Sequence, residues 1–337
     1  MRPSEVSEED SYAAFARVAL PRYGYDAQTP HHLINRSENG TFLITDPDRP
    51  AILRVHRTGY HGHQAIVSEL GWLDALRDDG VVRTPRWIPA LDGASVSVLD
   101  VDGEQRFAVL FEHLPGVEPE ERRLTSDMRT LGAITARMHN HAIGWQRPAG
   151  FERFRWDEQT MLGPRPRWGH WQDGIAIGPA ELDILQRAED RILARLAAYG
   201  KPPERFNLAH ADLRLANLLV DDDEIYVIDF DDCGYGWLLY DLGTAMSFME
   251  HDAQTDTRIE SWLAGYQTER ALQPADLAEV WTFVMLRRLM LVAWIGSHSS
   301  TELAIEMGAD YTAGSIEVAQ KFLARCPDPT EGAMNHV

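Results

Sequence analysis

Between Asn207 and Asp241 the chain reads NLAHADLRLANLLVDDDEIYVIDFDDCGYGWLLYD, and no other stretch limits so sharply what it can fold into. A histidine, an aspartate two residues on, an asparagine five after that and an aspartate closing an apolar run supply the frame: His210, Asp212, Asn217 and Asp229. LLV and IYVI read as short strands joined by the acidic turn Asp221 to Glu224, a hairpin expected to bring Asn217 and Asp229 together. Phosphoryl transfer asks for little covalent help; it needs a hydroxyl oriented and magnesium held against phosphates. Asp212 on its loop suits the first task as base, and Asn217 with Asp229 offers the oxygen donors a hard six-coordinate cation prefers.

HADLRLAN followed by VIDF resembles the catalytic and magnesium-binding motifs of the aminoglycoside phosphotransferase and choline kinase superfamily, relatives of the protein kinases. The continuation IDFDDCGYGWLLYDL is most similar to the branch holding bacterial stress-response kinases and type II homoserine kinase-like proteins. The resemblance implies that Asp212 is the catalytic base, Asn217 and Asp229 are metal ligands, His210 supports the loop, and Asp241 ties that loop to the following helix. It further implies an α+β, two-lobed protein kinase-like fold. Residues 1–112 form an N-terminal antiparallel sheet lobe that binds nucleotide, and residues 113–337 a mainly helical lobe for catalysis and substrate, with an insertion at about 148–178.

Composition narrows the partners. With 52 acidic against 32 basic residues the net charge is -20, which argues against nucleic acid and anionic membranes, since phosphate backbones are met by clustered Lys and Arg. Two cysteines among 337 residues leave no disulfide framework and no cysteine-based zinc site. The scattered histidines, His31, His32, His61 and His63, lack spaced partners of ligand geometry. The N-terminus, MRPSEVSEED, has no signal-peptide pattern, and no apolar run approaches the roughly 20 residues of a membrane span, so a cytoplasmic protein is expected.

Taken in order, EDSYAAFARVAL is an amphipathic helix stopped by Pro21. HHLINRS, TFLIT and AILRVHR then form a three-stranded meander, and SVSVLDV with RFAVLFEHLPG completes a sheet of five strands. The turn with Ser37 and Asn39 lies where the resemblance places a loop over the nucleotide phosphates, though it holds one glycine. Arg54 stands where kinases keep a phosphate-contacting lysine, and Glu69, beside the apolar face of Ile66, Leu70 and Leu73, is placed to pair with it. A guanidinium is a planar fork and a lysine a point charge, so an inactive nucleotide-binding pseudokinase is one alternative. By the same resemblance Glu112 and Leu114 offer backbone hydrogen bonds to adenine.

The segment FERFRWDEQTMLGPRPRWGHWQDG is too long and aromatic for an ordinary connector. Trp156, Trp168 and Trp171 either anchor it to the lobe or line a substrate wall, and Asp231 and Asp232 either meet a substrate amine or serve the local fold. Arg287 and Arg288, inside an otherwise apolar helix, are expected to pair with buried carboxylates, the alternative being contact with an acidic substrate or the phosphate. The reading is an ATP- and Mg2+-dependent phosphotransferase acting on a hydroxyl of a small molecule, an amino alcohol, amino acid or aminoglycoside-like compound. A Ser/Thr protein kinase is the other alternative, disfavoured because LLYDLGTAM follows Asp229 too closely for an activation segment.

Overall fold

The structure, a computed structural model, describes residues 8–35, 39–119, 124–221, 224–299 and 301–329; Ser37 and part of the acidic turn after Asp221 lie outside them. The chain divides into two compact units. The first gathers Met1–Val117, Arg147–Arg153 and Leu219–Asp231; the second gathers Glu118–Gln146, Phe154–Leu218 and Asp232–Val337.

In the first unit, α1 (Glu8–Ala19) precedes β1 (His31–Asn35), β2 (Gly40–Ile44) and β3 (Ala51–Val55). Then come α2 (His63–Asp78), β4 (Trp87–Ile88), β5 (Ser97–Val101) and β6 (Glu104–Glu112). The strands form one antiparallel sheet in the order β1-β2-β3-β6-β4, with β5 also on β6. It has six strands rather than five: β4 is two residues set between prolines Pro85 and Pro89, too short for an alternating pattern to reveal.

Period-two alternation sends Ala51, Leu53 and Val55 inward, each fully buried, against Tyr12, Phe15, Ala16 and Ala19 of α1. Each large apolar side chain so covered contributes about 1.5–3 kcal/mol. The same alternation turns Arg54 to the opposite face. In α2, Ile66, Glu69, Leu70, Leu73 and Leu76 recur at helical spacing and are buried, which carries Glu69 inward with the apolar stripe. The strands Leu218–Asp221 and Glu224–Val227 pair as a hairpin. Val117 and Val220 exchange two backbone bonds, 3.0 and 2.8 Å, which joins that hairpin to the end of the sheet segment.

In the second unit the helices are α3 (Leu124–Gly144), α4 (Glu158–Met161), α5 (Pro179–Tyr199), α6 (Tyr240–Ala245), α7 (Thr255–Tyr266), α8 (Pro274–Leu277), α9 (Val280–Ser297) and α10 (Glu302–Arg325). A small sheet sets Gly234–Trp237 between a parallel strand, Phe154–Trp156, and an antiparallel one, Phe206–Ala209. Every residue of α9 from Val280 to Ile295 is buried. Pro274–Ser297 is long and apolar enough to cross a membrane, with mean hydropathy 1.3, but 89% of that window is buried within the protein. Its two arginines are compensated: Arg288 bonds Glu250 at 2.8 Å and Ser315 at 2.6 Å, and Arg287 turns to Asp212. Isolated charges at such depth would cost several kcal/mol each.

Candidate active site

Asp212 lies on the loop after strand Phe206–Ala209, in the second unit. That loop bends through Ala211, whose φ of 65° is the left-handed region disfavoured for a side-chain-bearing residue. One carboxylate holds the bend: Asp241 of α6 accepts from the backbone N–H of His210 at 3.1 Å and of Ala211 at 2.7 Å. His139 of α3 lies 3.0 Å from the same carboxylate, with Tyr266 of α7 2.9 Å from its other ring nitrogen. His210 is wholly buried, and its ring Nδ1 accepts from the N–H of Asp212 at 3.4 Å.

Both oxygens of Asp212 are engaged. The amide of Asn217, in the turn Leu215–Asn217, donates to the Asp212 carbonyl at 2.8 Å and to Oδ2 at 3.1 Å; Arg214 Nε lies 3.4 Å from Oδ2. Arg287 Nη2 donates to Oδ1 at 2.5 Å. Burial pushes the Asp212 carboxyl up, but the charges of Arg287, Arg214 and His210 outweigh it and hold the group below the usual carboxylate value. It is therefore ionised at neutral pH. Arg287 is itself bound to Ser247 at 2.9 Å and Tyr240 at 3.4 Å, and its guanidinium lies 5.2 Å from the centre of the Trp168 ring. Burial, then the charges of Asp212 and Asp232 against that of Arg287, raises the Tyr240 hydroxyl to about 12, so Asp232 is within electrostatic reach of this group. Trp168 is buried, and among the described residues its Nε1 has no partner.

Arg54, Glu69, Asp229 and Asp231 belong to the first unit. Arg54 donates to Glu69 at 2.6 Å, and both are buried. Burial opposes the Arg54 charge, but Glu69, Asp231 and Asp229 overcome it and raise its pKa, so it stays cationic. Asp229 has a φ of 60°, a second strained residue at a motif position. Arg153 braces the neighbourhood: it donates to the carbonyls of Ala65 at 2.9 Å, Phe230 at 3.4 Å and Asp231, and lies 3.8 Å from Glu69.

Several candidate residues are engaged within the fold. Asp231 does not face open space for a substrate amine; it is buried 3.4 Å from His61, 3.6 Å from His56 and 4.0 Å from Arg54, where its charge compensates a buried cation. Burial, reinforced by Arg54, keeps His56 neutral. Trp171 is an anchor and not a pocket wall, since its indole N–H is spent on buried Glu189 at 2.5 Å. Trp156 donates to the Asp232 carbonyl at 2.7 Å and is likewise buried. Asn39 accepts from the N–H of Arg57 at 3.1 Å, which ties the start of β2 to the residues after β3. Glu112 spends its N–H on Arg86 at 2.9 Å; Leu114 follows two residues later, half-buried. Sequence reasoning missed His139, Arg153, Tyr240 and Ser247, and did not connect Arg287 with Asp212. A pair of arginines inside an apolar helix was the available signal, because such charges require a carboxylate nearby.

An antiparallel sheet carrying a buried cation paired to a helix glutamate, with the His210 to Asp229 motif supported by Asp241, defines a kinase-like phosphotransferase. The chain belongs to the phosphotransferase enzyme family, whose model matches residues 33–277. A solved structure described as the microcompartment-associated aminopropanol kinase is 47% identical, covering 92% of this chain and 97% of that one with a TM-score of 0.87. The amicoumacin kinase of Bacillus subtilis (strain 168) is 26% identical over 287 residues, 81% of each chain. The amicoumacin kinase hAmiN, solved with AMP-PNP, Ca2+ and Ami, shares the fold at 22% identity and a TM-score of 0.73, covering 97% of each chain. The protein is an enzyme that transfers phosphate to a hydroxyl of a small molecule, with ATP and a divalent metal as its cofactors.

Proposed function

We propose that this kinase phosphorylates a small amino alcohol of the aminopropanol type. The observation that carries the acceptor class is the 47% identity to the aminopropanol kinase, sustained over nearly the full length of both chains. In this reading Asp212 orients the acceptor hydroxyl and takes its proton. Arg54, fixed by Glu69, meets the phosphates as a bidentate donor in place of a lysine. The carbonyl of Glu112 and the N–H of Leu114 hold the adenine. Asp232, near Tyr240, meets the ammonium group, and Trp168 lines the acceptor side. A cytoplasmic setting is supported by two buried cysteines, neither in a disulfide.

Asn217 and Asp229 are the metal ligands in this proposal. The donor chemistry fits: the Asn217 Nδ2 is spent on Asp212, which leaves its Oδ1, a hard oxygen, for a cation. No cluster of three or more His, Cys, Asp or Glu stands ready for a metal among the described residues. Magnesium held by one amide oxygen and one carboxylate, with phosphate and water completing its shell, requires none. When bound, the ion neutralises charge developing on the transferred phosphate.

The test is ADP release with Mg·ATP against aminopropanol isomers, ethanolamine, choline, amino acids and aminoglycosides. An aminopropanol should lead in kcat/KM, and Asp212→Asn should lower that turnover by about 100-fold or more while leaving the fold intact. Better turnover of choline, an amino acid or an aminoglycoside would refute the acceptor class. An active Asp212→Asn would refute the base.

A further inference from the structure

The two oxygens of Asp212 are unequally spent. An ionised carboxylate oxygen accepts at two in-plane sites. Among the described residues Oδ2 meets both Asn217 and Arg214, while Oδ1 meets Arg287 alone. One acceptor site is left, on Oδ1, beside a guanidinium that has little freedom to move. Arg287 is bonded through Nε to Ser247 and through Nη1 to Tyr240, lies over the Trp168 ring, and has a side chain only 3% exposed.

We infer that the acceptor hydroxyl is delivered to Oδ1 of Asp212, and that Arg287 is the positioning residue that orients this oxygen and keeps water from it. The inference rests on Asp212 being the base. The hydroxyl proton passes to Oδ1 as the acceptor oxygen forms its bond to the γ-phosphorus of ATP. The bond from that phosphorus to the bridging oxygen breaks, and ADP leaves with the electron pair. Asp212 then returns the proton to solvent. Arg287 exchanges no proton; held by Ser247 and Tyr240, it turns a carboxylate with two similar oxygens into one with a single productive site. Arg287 reaches that site from α9, 75 residues beyond Asp212, outside every motif that carries the resemblance.

The experiment measures ADP and phosphorylated acceptor in parallel for the full-length Arg287→Gln and Ser247→Ala variants, with nucleotide affinity read from AMP-PNP binding. Loss of the guanidinium is expected to lower transfer by roughly 100-fold, as for a misplaced reacting group. AMP-PNP affinity should stay within about twofold, and the ratio of ADP to phosphoester should rise as water reaches Oδ1. Ser247→Ala keeps the ion pair but frees Nε, so the same ratio should rise by less, and it answers the question even if Arg287→Gln does not fold. An unchanged ratio in Ser247→Ala, or a fall in transfer that only tracks lost thermal stability, overturns the inference. The Asp212→Asn control separates the two levels. If it remains active, the base assignment fails; if it is dead while Ser247→Ala and Arg287→Gln behave as wild type, only the role of Arg287 fails.

Discussion

As the proposed base, Asp212 would accept a proton in a setting dominated by cations. Arg287, Arg214 and His210 outweigh burial and depress its pKa, which settles the sign of its pH response. The base works only when deprotonated, so kcat/KM should fall as pH drops through a pKa below the usual carboxylate value. A profile with constant acceptor and Mg·ATP should therefore show no acid limb from Asp212 between about pH 8 and pH 5. A single inflection near pH 6.5 that disappears in Asp212→Asn would contradict this placement. The fold class and the reaction were legible because the motif is local: Asp212, Asn217 and Asp229 lie within 18 residues of sequence. His139 and Arg287 were not, because each reaches its partner across long sequence separations, 102 and 75 residues, that no period or spacing encodes. The sequence left both roles open for Asp231 and Asp232 because neighbouring carboxylates look alike there. Which of Asp231 and Asp232 meets the buried Arg54 depends on a turn that only coordinates reveal.

At the scale of elements, the support of the loop begins with two helices that touch through glycine. A Cβ added at Gly265 of α7 would lie 1.8 Å from the Arg129 carbonyl of α3, and one at Gly132 would lie 2.0 Å from that of Trp262. The close approach matters because α3 carries His139 and α7 carries Tyr266, and the two side chains with Asp241 form the chain of bonds that ends on the N–H groups of His210 and Ala211. Gly265→Ala should cost about 1–3 kcal/mol in urea unfolding, the usual range for overpacking, and should lower kcat with it. Gly71→Ala in α2, where nothing lies within 4 Å of the added methyl, should instead stabilise by about 0.5–1 kcal/mol. Equal effects at the two sites would show that the helix contact is not tight.

For the whole molecule, the net charge of -20 acts on its two substrates with opposite sign. The long-range field repels the anionic nucleotide and would draw in a cationic acceptor such as the proposed amino alcohol, and salt screens both within about 8–10 Å at physiological strength. Raising ionic strength from about 10 to about 150 mM should therefore raise kcat/KM for Mg·ATP and lower it for the acceptor, each by a few fold. Changes of the same sign for both would argue that local charges, led by Arg54 and Arg287, dominate the encounter.

The composition of the first unit also bears on how the chain is made. It draws on Met1–Val117, Arg147–Arg153 and Leu219–Asp231, so the nascent sheet leaves the ribosome without Arg153 and without the hairpin that Val117 pairs with. At about 5–20 residues per second, Arg153 follows some 2–7 seconds later and the hairpin some 5–25 seconds later. Until then the carbonyl and N–H of Val117 wait for partners that translation has not yet supplied, and Glu69 of α2 has Arg54 but not yet Arg153. No single cut in the gene divides this enzyme into two self-sufficient halves.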